Sequence, residues 1–108
     1  MTPSISVGVD LGGTNTRAGL VAPGGDILAR SRRRTRLELG SDGVVDGIVS
    51  CVREVMAATD GEVGSVGVGS PGPLDPFEGV IISPENLTCM HGVRLKERLE
   101  DALSLSVE

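Results

Sequence analysis

The sequence predicts an α/β domain with the element order βββαβαβ, a mixed sheet with helical crossovers. Three observations predict it. Short Val- and Gly-rich runs at 5–9, 16–21 and 63–69 place apolar or small residues at alternate positions, the two-residue period of a strand. Apolar residues between 44 and 56 and between 95 and 103 recur instead at three- and four-residue intervals, the period of a helix. Gly, Pro and Asp gather between these runs, where the chain must turn. A chain of 108 residues buries only roughly two-thirds of its unfolded surface, which is enough for one modest core.

Ile5-Ser6-Val7-Gly8-Val9 reads as a buried strand that ends in Asp10, and Leu11 to Asn15 as a Gly-rich turn. Thr16 to Val21 is a second strand. Pro23-Gly24-Gly25-Asp26 turns into a third from Ile27, completing a three-stranded meander. The third strand runs into Arg30-Ser31-Arg32-Arg33-Arg34-Thr35-Arg36, where the strand period puts Arg30, Arg32, Arg34 and Arg36 on one face. Two readings stay open: a nucleic-acid contact, or an edge strand whose charges keep it from pairing with other chains. The second is the better supported.

Ser41 and Asp42 offer N-cap oxygens ahead of Val44, Val45, Ile48, Val52, Val55 and Met56, which predicts a helix over 42–58. Cys51 falls near that apolar stripe as buried filler. Asp60-Gly61 closes the helix. Val63 to Gly69 is a fourth strand, whose alternating glycines admit close packing by a helix or a ligand. Ser70-Pro71-Gly72-Pro73-Leu74-Asp75-Pro76 is a stiff loop, because each Pro fixes its own φ and restricts the residue before it. A short β segment, Val80 to Ser83, follows. Leu95, Leu99 and Leu103 share one side of a last helix over 94–103, and Ser104 to Glu108 starts a fifth strand.

Composition removes several classes. No apolar run approaches the ~20 residues a membrane span needs, and Met1-Thr2-Pro3-Ser4 does not read as a secretion signal. Phe77 is the single aromatic, so nucleic-acid binding by base stacking is not expected. Cys51 and Cys89 lie far apart with no CxxC pair, which argues for a reduced, cytoplasmic protein without a zinc knuckle or redox dithiol. The net charge of −5 is uneven: residues 1–36 hold six Arg against Asp10 and Asp26, and the acidic excess lies beyond them. An anion site near the N-terminus would produce this asymmetry, and so would a solvated basic strand beside an acidic helical surface, the better supported of the two.

The sharpest local feature is Asp10-Leu11-Gly12-Gly13-Thr14-Asn15-Thr16-Arg17. Asp10 projects from a strand end. Gly12 and Gly13 lack a Cβ, so their N–H groups can approach an anion closely, while Thr14, Asn15 and Thr16 add short donors and Arg17 a fixed charge. The segment is not a Walker A loop, having no GK[ST] ending, nor a dinucleotide GxGxxG. Asp10 would repel a polyphosphate unless a divalent metal or its water shell lay between them. An ordinary Gly-rich hairpin turn explains the same residues on spacing alone.

Asp10-Leu11-Gly12-Gly13-Thr14-Asn15-Thr16-Arg17 resembles the first phosphate motif of the superfamily of sugar kinases, heat-shock chaperones and actin. Val66-Gly67-Val68-Gly69-Ser70-Pro71-Gly72-Pro73-Leu74-Asp75, Gly79-Val80-Ile81, Pro84-Glu85-Asn86-Leu87 and Gly92-Val93-Arg94-Leu95 narrow the resemblance to the N-terminal lobe of the ROK family (repressors, open reading frames, kinases), nearest to its bacterial glucokinases. It runs over essentially the whole chain, with the motifs in order. The resemblance implies a ribonuclease-H-like, actin-like ATPase lobe over 1–108 that shares a cleft with a second lobe absent from this chain. It implies ATP, Mg2+ and a hexose, with glucose leading, as ligands, and phosphorylation of the glucose 6-hydroxyl as the activity. Asp10 would act on magnesium, through water, and Gly12, Gly13, Thr14, Asn15 and Arg17 would face the ATP phosphates, Arg17 alternatively supporting the loop. Pro71, Gly72, Glu85 and Asn86 would line the sugar pocket, where a stiff loop and an amide discriminate hydroxyls.

The chain also departs from the family. It has no aromatic near Met90, and His91 is not the family's zinc-site histidine, so no structural zinc is expected. The family's general base, an Asp in an Asn-Asp pair, would follow the strand at Val107 and lie beyond Glu108, so no catalytic residue is expected in this chain and no activity from it alone. The resemblance implies a cytoplasmic homodimer for the full-length protein, with neither nucleic acid nor membrane as partner. Two other readings remain: the sugar-sensing part of a ROK transcriptional repressor, and a non-catalytic truncated fragment. The repressors usually carry a helix-turn-helix ahead of this lobe, and only four residues precede the first strand here.

Overall fold

The computed structural model describes residues 4–69, 74–75, 80–81 and 93–108. The elements are β1 (Ile5–Leu11), β2 (Asn15–Val21), β3 (Ile27–Arg34), α1 (Gly40–Met56), β4 (Val63–Gly69), β5 (Leu74–Asp75), β6 (Val80–Ile81), α2 (Leu95–Leu103) and β7 (Ser106–Val107). A 3-10 turn, Leu37–Leu39, leads into α1. Five strands form one sheet in the order β3-β2-β1-β4-β7, and β5 and β6 pair separately. The meander is antiparallel, whereas β4 runs parallel to β1 and β7 parallel to β4. The predicted mixed α/β sheet with helical crossovers is the observed one.

Alternation along the strands decides which face is buried. Val7, Val9 and Leu11 of β1, Ala18 and Leu20 of β2, Val66 of β4 and Val107 of β7 all turn into the core. They meet Val44, Val45, Ile48, Val49, Cys51, Val52 and Val55 of α1 and Leu95 and Leu99 of α2 in a single cluster, so both helices cover the same face. The two helices are tied at their surface by Arg98 to Asp42 and by Arg53 Nη2 donating to the Ala102 carbonyl at 3.1 Å. Aliphatic residues fill this core, as the composition requires.

The β2–β3 turn closes on Gly25, whose φ of 99° is open to glycine and costly for other residues. Gly25 N–H donates to the Ala22 carbonyl at 2.9 Å and Ala22 N–H to the Asp26 carbonyl at 2.8 Å. At the other end of the sheet, Glu108 N–H donates to the Val66 carbonyl and Val68 N–H to the Glu108 carbonyl, both at 2.8 Å, extending the β4–β7 ladder.

Three expectations are corrected. The predicted helix over 42–58 runs over Gly40–Met56 and begins without a side-chain cap. The 3-10 turn feeds it directly, and Asp42, expected to cap, is engaged by Arg98. The stiff loop after β4 contains a strand, Leu74–Asp75, paired to Ile81 and Val80, which local proline signals conceal. Arg36 does not share the strand face of Arg30, Arg32 and Arg34, because β3 stops at Arg34 and Arg36 pairs with Glu38 beyond it. That pairing holds the exposed Glu38 carboxyl below the usual carboxylate range, the Arg36 hydrogen bond being the main cause. The expected edge position of β3 is observed.

Candidate functional site

The parallel strands β1 and β4 end side by side, with Asp10 opposite Gly69 on one flank and opposite Arg17 on the other. In open α/β sheets, ligands collect outside the carboxyl ends of such strands. Since Val9 and Leu11 turn into the core, the strand period sends Asp10 to the opposite face, where it is exposed. Arg17 and Arg32 follow it in register across β2 and β3 on that face.

The next row on the face has no side chains at its centre. Gly67, Gly8 and Gly19 stand opposite one another on β4, β1 and β2, and Arg30 closes the row on β3. The result is a shallow hollow of about 640 Å3 lined by Gly8, Asp10, Arg17, Gly19, Arg30 and Gly67 among others. Among the described residues, nothing lies within 4 Å of where a Cβ on Gly8 or Gly67 would sit. The basic run of the sequence is thus divided by the sheet. Arg30 and Arg32 border the hollow, whereas Arg33 turns to the helix side and meets Glu54 at 3.1 Å, beside Ser31 Oγ donating to the same carboxylate at 3.0 Å.

The turn from β1 to β2 sits at the edge of this face. Gly12 N–H donates to the Asn15 carbonyl at 3.0 Å, and a Cβ on Gly12 would stand 2.9 Å from that same oxygen. Only glycine closes the turn without displacing backbone. Gly12, Gly13 and Asn15 are half-buried and Thr14 is exposed, so the turn is open to solvent on its outer side.

Beneath it lies a buried polar knot. Thr35 Oγ1 donates to the Gly12 carbonyl at 2.7 Å, and Thr35 N–H donates to the Thr14 carbonyl at 2.8 Å. Thr16 Oγ1 is 2.8 Å from Thr35 Oγ1 and must be the donor there, because a hydroxyl has one proton and that of Thr35 is given to Gly12. The Cys51 thiol lies 3.9 Å from the Thr16 carbonyl, closing the knot against α1. The N–H groups of Gly13 and Thr14 have no acceptor among the described residues.

The structure therefore brings Asp10, Gly12, Gly13, Thr14, Asn15 and Arg17 to one edge, with Asp10 and Arg17 on the open face and the turn beyond them. Thr16, expected to offer a donor outward, instead has its hydroxyl committed inward at 3% exposure, because it falls on the core side of β2. Pro71, Gly72, Glu85 and Asn86 lie outside the described residues, as do Met90 and His91. Among the described residues, no group of three or more His, Cys, Asp and Glu side chains gathers. Asp10 as one exposed carboxylate suits a magnesium ion that keeps most of its water shell and takes further oxygens from a phosphate. Thr35 is the site residue that sequence reasoning missed. Its signal was faint: a small polar residue on the helix side of an otherwise arginine-dominated run.

The profile of the ROK family matches residues 6–108. A glucokinase of Thermotoga maritima is 39% identical over 94 residues, covering 86% of this chain and 29% of that enzyme. A glucokinase of Pyrobaculum calidifontis is 40% identical over 80 residues, covering 74% of this chain and 23% of that enzyme. Among solved structures, a ROK family glucokinase from Streptomyces griseus in complex with glucose and AMPPNP superposes with a TM-score of 0.86 at 29% identity, over 95% of this chain and 31% of its own. The chain thus spans less than a third of the length of each of these relatives.

Proposed function

This chain belongs to the ROK family, and from that premise we propose that it is the N-terminal lobe of an ATP-dependent glucokinase, which transfers a phosphoryl group from Mg-ATP to the 6-hydroxyl of glucose. One observation carries the reading: a solvent-open turn whose carbonyls at Gly12 and Thr14 are bonded inward while, among the described residues, the N–H groups of Gly13 and Thr14 have no acceptor, next to an exposed carboxylate at the ends of two parallel strands. Unengaged backbone donors on a glycine-rich bend favour an anion, and they give phosphate oxygens fixed partners.

In this reading Gly12, Gly13, Thr14 and Asn15 hold the ATP phosphates. Asp10 holds magnesium through water. When bound, the ion supplies neutralisation of phosphate charge, which the chain's own carboxylate would otherwise oppose. Arg17, in register with Asp10 and exposed on the same face, brings a fixed positive charge toward the ATP phosphates. Pro71, Gly72, Glu85 and Asn86 line the sugar pocket. Gly69, the last residue of β4, stands beside Asp10. The general base and the second lobe belong to the part of the protein outside this chain, and the full-length protein is a homodimer. Identity near 40% to two glucokinases supports the kinase over a sugar-sensing repressor.

The chain has no Trp or Tyr, so binding is best read by heteronuclear NMR. Titration with Mg-ATP is expected to move the amide resonances of Gly12 to Asn15 well beyond those of the β2–β3 turn, and Asp10→Ala is expected to remove the magnesium dependence of that movement. Absence of any response in the turn at millimolar nucleotide refutes the reading.

A further inference from the structure

We propose that Thr35 is a positioning residue that fixes the peptide planes of the Gly12–Asn15 turn and thereby aims the Gly13 N–H outward. The phosphate role of that N–H rests on the nucleotide reading above; the control of the turn does not.

A bend of two glycines and two small polar residues has many backbone conformers, and rotating one peptide plane exchanges a donor for an acceptor on its outer side. Thr35 removes that freedom at two points. Its hydroxyl grips the Gly12 carbonyl at 2.7 Å and its N–H grips the Thr14 carbonyl at 2.8 Å. A peptide unit is planar and trans, so its C=O and N–H point in opposite directions. Holding the Gly12 carbonyl inward therefore holds the Gly13 N–H outward, and holding the Thr14 carbonyl does the same for the Asn15 N–H.

Thr35 can do this because of where it stands. It is 6% exposed and follows β3 directly, so the β2–β3 ladder anchors it. Thr16 donates to its oxygen at 2.8 Å, which leaves its proton only the Gly12 carbonyl to serve. With Cys51 beneath Thr16, the chain of bonds runs from α1 to the turn. The clamp is thus built from three elements that belong to the core, and the turn inherits their rigidity.

The test compares the unchanged chain with Thr35→Ser, which keeps the hydroxyl, and Thr35→Val, which keeps the shape and loses it. Folding is checked by circular dichroism, turn order by amide hydrogen exchange without nucleotide, and binding by Mg-ATP titration. Thr35→Val is expected to speed exchange of the Gly12 amide with Val7 and Val66 unchanged, and to weaken nucleotide binding about tenfold or more, the worth of one hydrogen bond to a charged group. Thr35→Ser is expected to restore both. If Thr35→Val does not fold, Thr35→Ala, which admits a water, is read in its place. Unchanged exchange in the turn, or undiminished binding, overturns the proposal. If the unchanged chain shows no nucleotide response, the nucleotide reading fails, and exchange at Gly12 alone decides whether Thr35 governs the turn.

Discussion

Gly12 is the residue on which the turn geometry depends most directly. A methyl group there meets the Asn15 carbonyl oxygen at 2.9 Å, and that oxygen is already the acceptor of the Gly12 N–H. The neighbour is backbone and cannot rotate away. Gly12→Ala should therefore lower the stability of the chain by about 1–3 kcal/mol, the usual cost of forcing atoms into a packed site, measured as a fall in the denaturant midpoint. Gly8, one strand position before Val9, has open space among the described residues where its Cβ would go, so a midpoint shift confined to Gly12 separates local crowding from a general effect of replacing glycine. Asp10, Gly12 and Gly13 stood out in the sequence as a candidate site through the family resemblance of their segment, since on spacing alone an ordinary Gly-rich hairpin turn explains them. Thr35 was not, since its partners are 23 and 19 residues away in sequence and only pairing of β3 with β2 brings them near.

At the scale of elements, α1 is the part of the molecule that holds the site-bearing strands in place. Its seven buried side chains join the core cluster with those of β1 and β2, and Ile48, fully buried, is among the largest of them. Truncating such a residue loses its transfer energy and leaves a cavity that the neighbours fill only in part. Ile48→Ala should cost about 2–5 kcal/mol by chemical denaturation, against a total of about 5–15 kcal/mol for a domain of this kind. A cost under about 1 kcal/mol would mean that α1 packs less tightly than its burial indicates. The body of α1 was readable from its 3.6-residue stripe. Its start was not, because the Asp42 carboxylate that resembles a cap is drawn off by Arg98 of α2, 56 residues later. Of the pair β5–β6, the β segment at Val80 was expected and β5 was hidden for a related reason: a two-residue strand leaves no periodicity to detect, and pairing alone defines it.

At the scale of the whole molecule, both helices lie on one face of the sheet and the glycine row with its flanking arginines on the other. The relatives are more than three times as long as the stretch this chain matches. Phosphoryl transfer requires nucleophile, metal and leaving group to be held together with a residue that accepts the hydroxyl proton. The purified 108-residue chain is accordingly expected to show no ATP-dependent phosphorylation of glucose in a coupled assay for ADP. Turnover that vanishes in the Asp10→Ala chain would contradict this, because it would place a working site in the lobe alone.

The sequence by itself determined the strand and helix periods, the aliphatic core and the glycine-rich bend after Asp10, because each depends on residues within a few positions of one another. Tertiary structure alone decided which face the helices cover, which arginines reach the open side, and how the bend is held from below. Those outcomes come from strand register and helix packing, which join residues tens of positions apart and leave no mark on the local pattern.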